Sequence, residues 1–228
     1  MKFRQFGLLF AVLMICASFI GCEVSPTLPA SRQTPIPTNT SKALPAIELK
    51  GKAFSPNGGT SLAAAKKLVI AELRKNGIQG DIESAIKVDE ITTEVFWENN
   101  QAQLFSVNLD YAWVDGIAIV KGHQLLTILS SLEITGRYLA DLDQDGHYEV
   151  YVSVSQGSGR IIPAILGYNP ANTGEYSFYG PFPGKEYEDV FYNLFLEDGK
   201  LLIRIKDNIG ELVLVPENGK QVLGISPR

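Results

Sequence analysis

Hydrophobic and polar positions along this chain change period near residue 77. Between residues 60 and 76 (TSLAAAKKLVIAELRKN), Leu62, Ala65, Leu68, Val69 and Leu73 recur at helical spacing. Thr60 or Ser61 can cap the start, Arg74 and Lys75 suit the negative end, and Gly77 suits the position just beyond it. The pattern predicts one amphipathic helix packed on a sheet. After it the period becomes two. Residues 92–98 (TTEVFWE) read as a strand, with Asn99-Asn100 turning into a second strand over residues 102–111. Trp113 and Val114 lead to Asp115-Gly116, a hairpin signal, and then to a strand over residues 117–120. Residues 124–132 (QLLTILSSL) fit either a strand or a short helix. Residues 148–154 alternate, with Val150, Val152 and Val154 on one side and Tyr151 and Ser153 on the other. Residues 161–168 follow a Gly-Ser-Gly loop; residues 190–196 and 201–206 flank an Asp-Gly turn, and residues 212–215 and 221–225 flank Asn218-Gly219. The expected class is mainly β (α+β), with antiparallel sheets or a sandwich of short hairpins and one N-terminal helix.

The first fifty residues belong to neither pattern. Lys2 and Arg4 precede an apolar run from Phe6 to Gly21 of about sixteen residues, short of the ~20 that a membrane span needs. A charged start followed by such a run is the layout of an export signal. It ends in Phe19-Ile20-Gly21-Cys22, which resembles the lipobox of bacterial lipoproteins, with Phe19 in place of the usual Leu. That resemblance implies removal of residues 1–21, diacylation of Cys22 and an extracytoplasmic domain anchored to a bacterial membrane by lipid. Several acyl chains make such anchoring stable, whereas one gives marginal binding. Residues 22–50 are rich in Pro, Thr, Ser and Ala and read as a disordered tether. Residues 51–228 remain as the extracytoplasmic β-rich domain.

Composition narrows the partners. Formal charge is −5, and without Lys2 and Arg4 the remainder carries 18 basic against 25 acidic side chains, or −7. Such a surface repels nucleic acid, whose phosphates need concentrated Lys and Arg. The two cysteines, Cys16 and Cys22, both precede the domain, which is therefore expected to hold no disulfide.

One motif carries chemistry. Residues 141–149 read Asp141-Leu-Asp143-Gln-Asp145-Gly146-His147-Tyr-Glu149. Carboxylates at alternating positions can fold inward around one hard cation, and Gly146 allows the sharp turn this needs. Calcium takes 6–8 oxygen ligands. An EF-hand would place an acid at the twelfth position, where Val152 stands, and would lead into a helix rather than a strand. The segment instead resembles the loop of FG-GAP or VCBS-type repeats, D-x-D-x-D-G-x-x-D/E between strands. The resemblance implies a structural calcium ion held by side chains of Asp141, Asp143, Asp145 and Glu149 and by the backbone oxygen of His147. Those families often form propellers from several repeats, whereas this chain has one copy over roughly thirty residues, and a propeller needs typically 4–8 blades.

Other constellations carry less. With only His123 and His147 and no cysteine in the domain, no zinc pattern is present. Gly157-Ser158-Gly159 lacks the spacing of a nucleophile elbow. Residues 175–195 are dense in Tyr and Phe; most are expected in the core, with Tyr179 and Phe182 as candidates for an exposed ligand-binding pair. The expected function is a lipid-anchored, non-enzymatic binding or interaction domain with a structural calcium site, whose partner is a glycan or an envelope protein. The alternatives are an envelope hydrolase acting on glycan or peptidoglycan and a scaffold subunit of an envelope assembly.

Overall fold

A computed structural model describes residues 43–50, 53–156, 162–179 and 192–228. The export signal, Cys22 and Phe182 lie outside the described residues.

The chain enters through a two-residue strand, β1 (Ile47–Glu48). Helix α1 (Leu62–Lys75) follows, with the Ser61 hydroxyl accepting the Ala64 N–H at 3.3 Å and Gly77 just past the end at φ 85°. Its Ala65, Val69, Ile70 and Leu73 are buried, whereas Leu62 is exposed. The short helix α2 (Ile82–Ala85) starts at Asp81 and leads into β2 (Lys87–Glu90). Helix α3 (Glu94–Asn100) connects β2 to β3 (Ala102–Leu109). With β4 (Val114–Lys121) and β5 (Gln124–Ser131), these strands form an antiparallel sheet in the order β2-β3-β4-β5.

Two more antiparallel sheets follow. β6 (Glu133–Ala140), β7 (Glu149–Gln156), β8 (Ile162–Asn169) and β9 (Gly174–Phe178) join β1 in the order β1-β6-β7-β8-β9. β10 (Tyr192–Glu197), β11 (Lys200–Ile205), β12 (Asn208–Glu217) and β13 (Lys220–Pro227) form the third sheet in sequence order. Two of its three tight turns take positive φ at two successive residues, Asp198-Gly199 and Asn218-Gly219, the backbone that suits the right-handed twist of a hairpin, and the third, Lys206-Asp207, takes it at Lys206.

The sheets stack in layers. α1 covers one face of the first sheet through Phe105, Val107, Ala118 and Val120. The opposite face, with Leu104, Ile117 and Ile119, packs on Val150, Val152 and Val154 of β7. The other side of the middle sheet, with Tyr138, Tyr151 and Ile165, packs on Leu194, Leu201 and Ile203 of the third. Antiparallel sheets commonly keep one face in water; this middle sheet keeps neither, and β7 is buried from Glu149 through Ser155. Each such aliphatic side chain contributes about 1.5–3 kcal/mol by burial. The Val and Tyr alternation of β7 thus serves two cores at once.

The mainly β class holds, with three antiparallel sheets and more helix than expected. Residues 92–98 are not a strand: the Thr93 hydroxyl accepts the Phe96 N–H at 3.3 Å, and α3 buries Phe96 and Asn100, one helical turn apart. Asp115-Gly116 is not a turn either. Both residues lie inside β4, paired with Ser131 and Ser130, and the chain reverses at a 3-10 turn, Asp110–Ala112, closed by Trp113. Residues 124–132 resolve as strand, β5.

Candidate metal centre

β6 and β7 are joined by residues 141–148, and the four acids of the motif converge there. Asp141, Asp143, Asp145 and Glu149 each present a carboxylate oxygen, and these atoms all lie within 4.8 Å of one another. Glu149 opens a strand whose both faces are covered, so it is 0% exposed, and Asp141 is 4% exposed. Asp143 is half-buried and Asp145 exposed. Gly146 takes φ 86°, the left-handed turn expected of it, and Gln144 takes φ 59°.

The loop folds on its own acids. Asp143 Oδ1 accepts the Asp145 N–H at 3.1 Å, and Asp145 Oδ1 accepts the His147 N–H at 2.7 Å. The Leu142 N–H donates to Glu149 Oε2 at 2.8 Å. Asp141 accepts from Leu44 at 3.1 Å and from Gly146 at 3.4 Å.

Three other elements brace it. From the end of α3, Asn99 donates to the Gly146 carbonyl at 2.8 Å and accepts the Tyr148 N–H at 2.7 Å, pairing with the loop as a strand would. Asn100 donates to the Tyr148 carbonyl at 3.1 Å. From the end of β8, Asn169 is 0% exposed and its Nδ2 faces three carboxylates, Asp143 at 3.0 Å, Glu149 at 3.2 Å and Asp145 at 3.3 Å. The amide is oriented by the Ala171 N–H, which donates to Asn169 Oδ1 at 2.8 Å. From β7, the Tyr151 hydroxyl donates to Glu149 Oε2 at 3.4 Å.

Burial, then the neighbouring Asp143, pushes the Glu149 carboxyl up to about 9. Burial also raises Asp141, opposed by the N–H groups of Leu44 and Gly146. The Tyr151 hydroxyl is held well above its ordinary value by burial and by Glu149. Near neutral pH, Glu149 therefore needs either a proton or a cation. The donor set is all oxygen, which fits a hard cation and excludes a thiolate or imidazole type of site. The cluster is able to hold a metal ion.

The four predicted carboxylates are brought together. His147 takes part through its N–H on Asp145 and through a ring nitrogen 3.1 Å from the Asn99 carbonyl. Tyr179 lies apart from this centre and is 43% exposed; its carbonyl accepts the Tyr192 hydroxyl at 3.3 Å. Tyr176 and Tyr192 are buried and Phe178 and Phe195 half-buried, while Phe182, Tyr187 and Phe191 lie outside the described residues. Asn99, Asn100 and Asn169 were not predicted. Asn169-Pro170 reads locally as a turn, and nothing in its neighbourhood ties it to acids twenty and more residues earlier.

No known protein family, curated protein or solved structure matches this chain.

Proposed function

We propose that this chain is a lipid-anchored extracytoplasmic binding domain, attached through Cys22, whose loop of residues 141–149 holds a structural calcium ion. One observation supports the metal above all: four carboxylates converge within 4.8 Å at a place where Glu149 has no exposure to water. Calcium, rather than magnesium, suits the site because carboxylates can supply many oxygens there with few waters, while magnesium keeps several. The ion ties the exit of β6 to the start of β7 and so fixes the hairpin at the centre of the stack. Its role is structural, because the acids accept the backbone N–H groups that hold the loop in shape. The anchor is supported by the lipobox-like Cys22 and by the proline-rich stretch after it.

The test is a thermal melt of the whole chain with and without calcium. A site that binds only the folded protein adds about 2.7 kcal/mol at a hundredfold excess over Kd, so the melting temperature should climb with calcium in wild type and stay flat in D143A and D145A. A flat wild-type titration overturns the metal. Labelled palmitate that fails to enter the wild-type chain, or that still enters C22S, overturns the lipid anchor.

A further inference from the structure

β6 links two ends of the stack. Its Ala140 pairs with Glu149 at the acidic loop, and its Glu133 pairs with Ser155 at the opposite end. Eight strand residues separate these ends by about 25 Å. The far end displays aromatic rings. Trp113 is 65% exposed, Tyr111 49% and Leu132 39%. Trp113 takes φ 53° and ψ 47°, a left-handed conformation that bulky residues seldom adopt and that tends to persist at functional sites. The Tyr111 hydroxyl donates to the Gln79 carbonyl at 3.0 Å, which fixes its ring while leaving it uncovered. Two hollows of about 250 and 280 Å³ lie against Trp113. Ser130, Ser131 and Gln156 edge the first, and Asn108 and Asp110 edge the second.

We propose that Trp113 is the platform of a binding site for a neutral glycan. A sugar ring has an apolar C–H face and a rim of hydroxyls. The indole offers the matching flat face, and the amide, hydroxyl and carboxylate groups of the two hollows offer partners for the rim. Two hollows that share Trp113, Val114 and Leu132 suit a chain of sugars lying along them better than a single compact ligand. The edge residues bring no concentration of Lys or Arg for an anionic glycan, and the nearby Lys87 already pairs with Asp110 at 3.6 Å. The chain enters the described fold at the other end, where Leu44 meets Asp141. The proposal names a ligand class for the binding domain proposed above and rests on that reading only for its extracytoplasmic setting.

The test titrates the full chain with cello-, chito- and xylo-hexasaccharides, followed by tryptophan fluorescence and calorimetry. W113G removes the ring while giving that backbone a residue at ease with positive φ, so the variant keeps its fold and its calcium response. At least one sugar is expected to bind saturably to wild type, about tenfold or more weaker to W113G, the equivalent of losing one stacked ring, with W113F between them. The proposal is overturned if no sugar binds wild type, or if W113G binds as well as wild type. It is equally overturned if Trp113 instead drives binding to phosphatidylcholine vesicles or concentration-dependent self-association. Melts with and without calcium on the same samples keep the two ideas apart: sugar binding with a flat calcium melt removes the ion alone, and a calcium shift without sugar binding removes the glycan alone.

Discussion

The two ends of the β6–β7 pair are built on opposite terms. At the acidic end, Glu149 and Asn169 have no exposure, and the loop is held by hydrogen bonds from α3, β7, β8 and the segment before β1. At the aromatic end, Trp113 keeps two thirds of its surface in water and is set by one residue's left-handed backbone. A site whose ligands carry like charge has to be over-determined, because repulsion would otherwise open it. A stacking platform needs only a ring in a fixed orientation with its face free. The first end should therefore respond strongly to changes well behind it, and the second only to changes at the ring.

The largest effect expected is on the acidic end without metal. The ordinary value of Glu149 is 4.5 and burial raises it to about 9, so the metal-free fold binds a proton that the unfolded chain releases. That stabilisation is complete below about 4.5 and is lost as pH rises towards 9, on the order of a few kcal/mol in total. Melting temperatures in chelator should fall from pH 6 to pH 9, and saturating calcium should flatten the slope. A chelated protein equally stable at both pH values would show that Glu149 is not isolated from water.

Next in size is Gly167→Ala on β8. A Cβ there would lie 2.7 Å from Tyr151 Cδ1 and closer still to Cε1, displacing the ring whose hydroxyl reaches Glu149. Overpacking of this kind costs about 3 kcal/mol, to be read from urea unfolding. The calcium shift should shrink with it, although the glycine touches no acid. Asn169→Ala ranks third. It strips the amide shared by Asp143, Asp145 and Glu149 and should weaken calcium binding by roughly 10–100-fold, measured by calorimetry, as the loss of an outer-shell partner does. The smallest change belongs to the aromatic end: W113G should leave stability unchanged or raise it by about 1 kcal/mol, since glycine relieves the left-handed strain. A loss of more than that would mean the ring is packed rather than displayed.

Much of this architecture was legible from local pattern because local physics decides it. The helix cap at Ser61, the stop at Gly77, the hairpin turns at Asp198-Gly199 and Asn218-Gly219, and the two-sided alternation of β7 all depend on neighbours in sequence. The acidic loop was legible for the same reason, since its acids and its glycine lie within nine consecutive residues. Residues 92–98 misled because Val95, Phe96 and Trp97 favour strands, while the Thr93 cap and the burial of Phe96 with Asn100 on one helix face outweighed that preference. Asp115-Gly116 misled because a glycine can also mark a close approach: a Cβ on Gly116 would sit 3.1 Å from the Leu129 carbonyl across the sheet. Asn169 was illegible because its role exists only once β8 lies beside β7. The layering of three sheets was illegible too, for alternation tells which side of a strand is apolar and not what covers it.

Leu44 gives the acidic loop a mechanical dimension. Its N–H grips Asp141, and two strand pairs, Ile47 with Leu139 and Glu48 with Tyr138, fasten β1 to β6, with the Leu49 N–H on the Arg137 carbonyl just beyond them. Tension arriving from the N-terminal side therefore meets Asp141 before it meets a core strand. A pull strong enough to peel this short edge would tug on Asp141 while β6 to β9 stayed intact, so load on the chain before Leu44 reaches the acidic loop through that N–H.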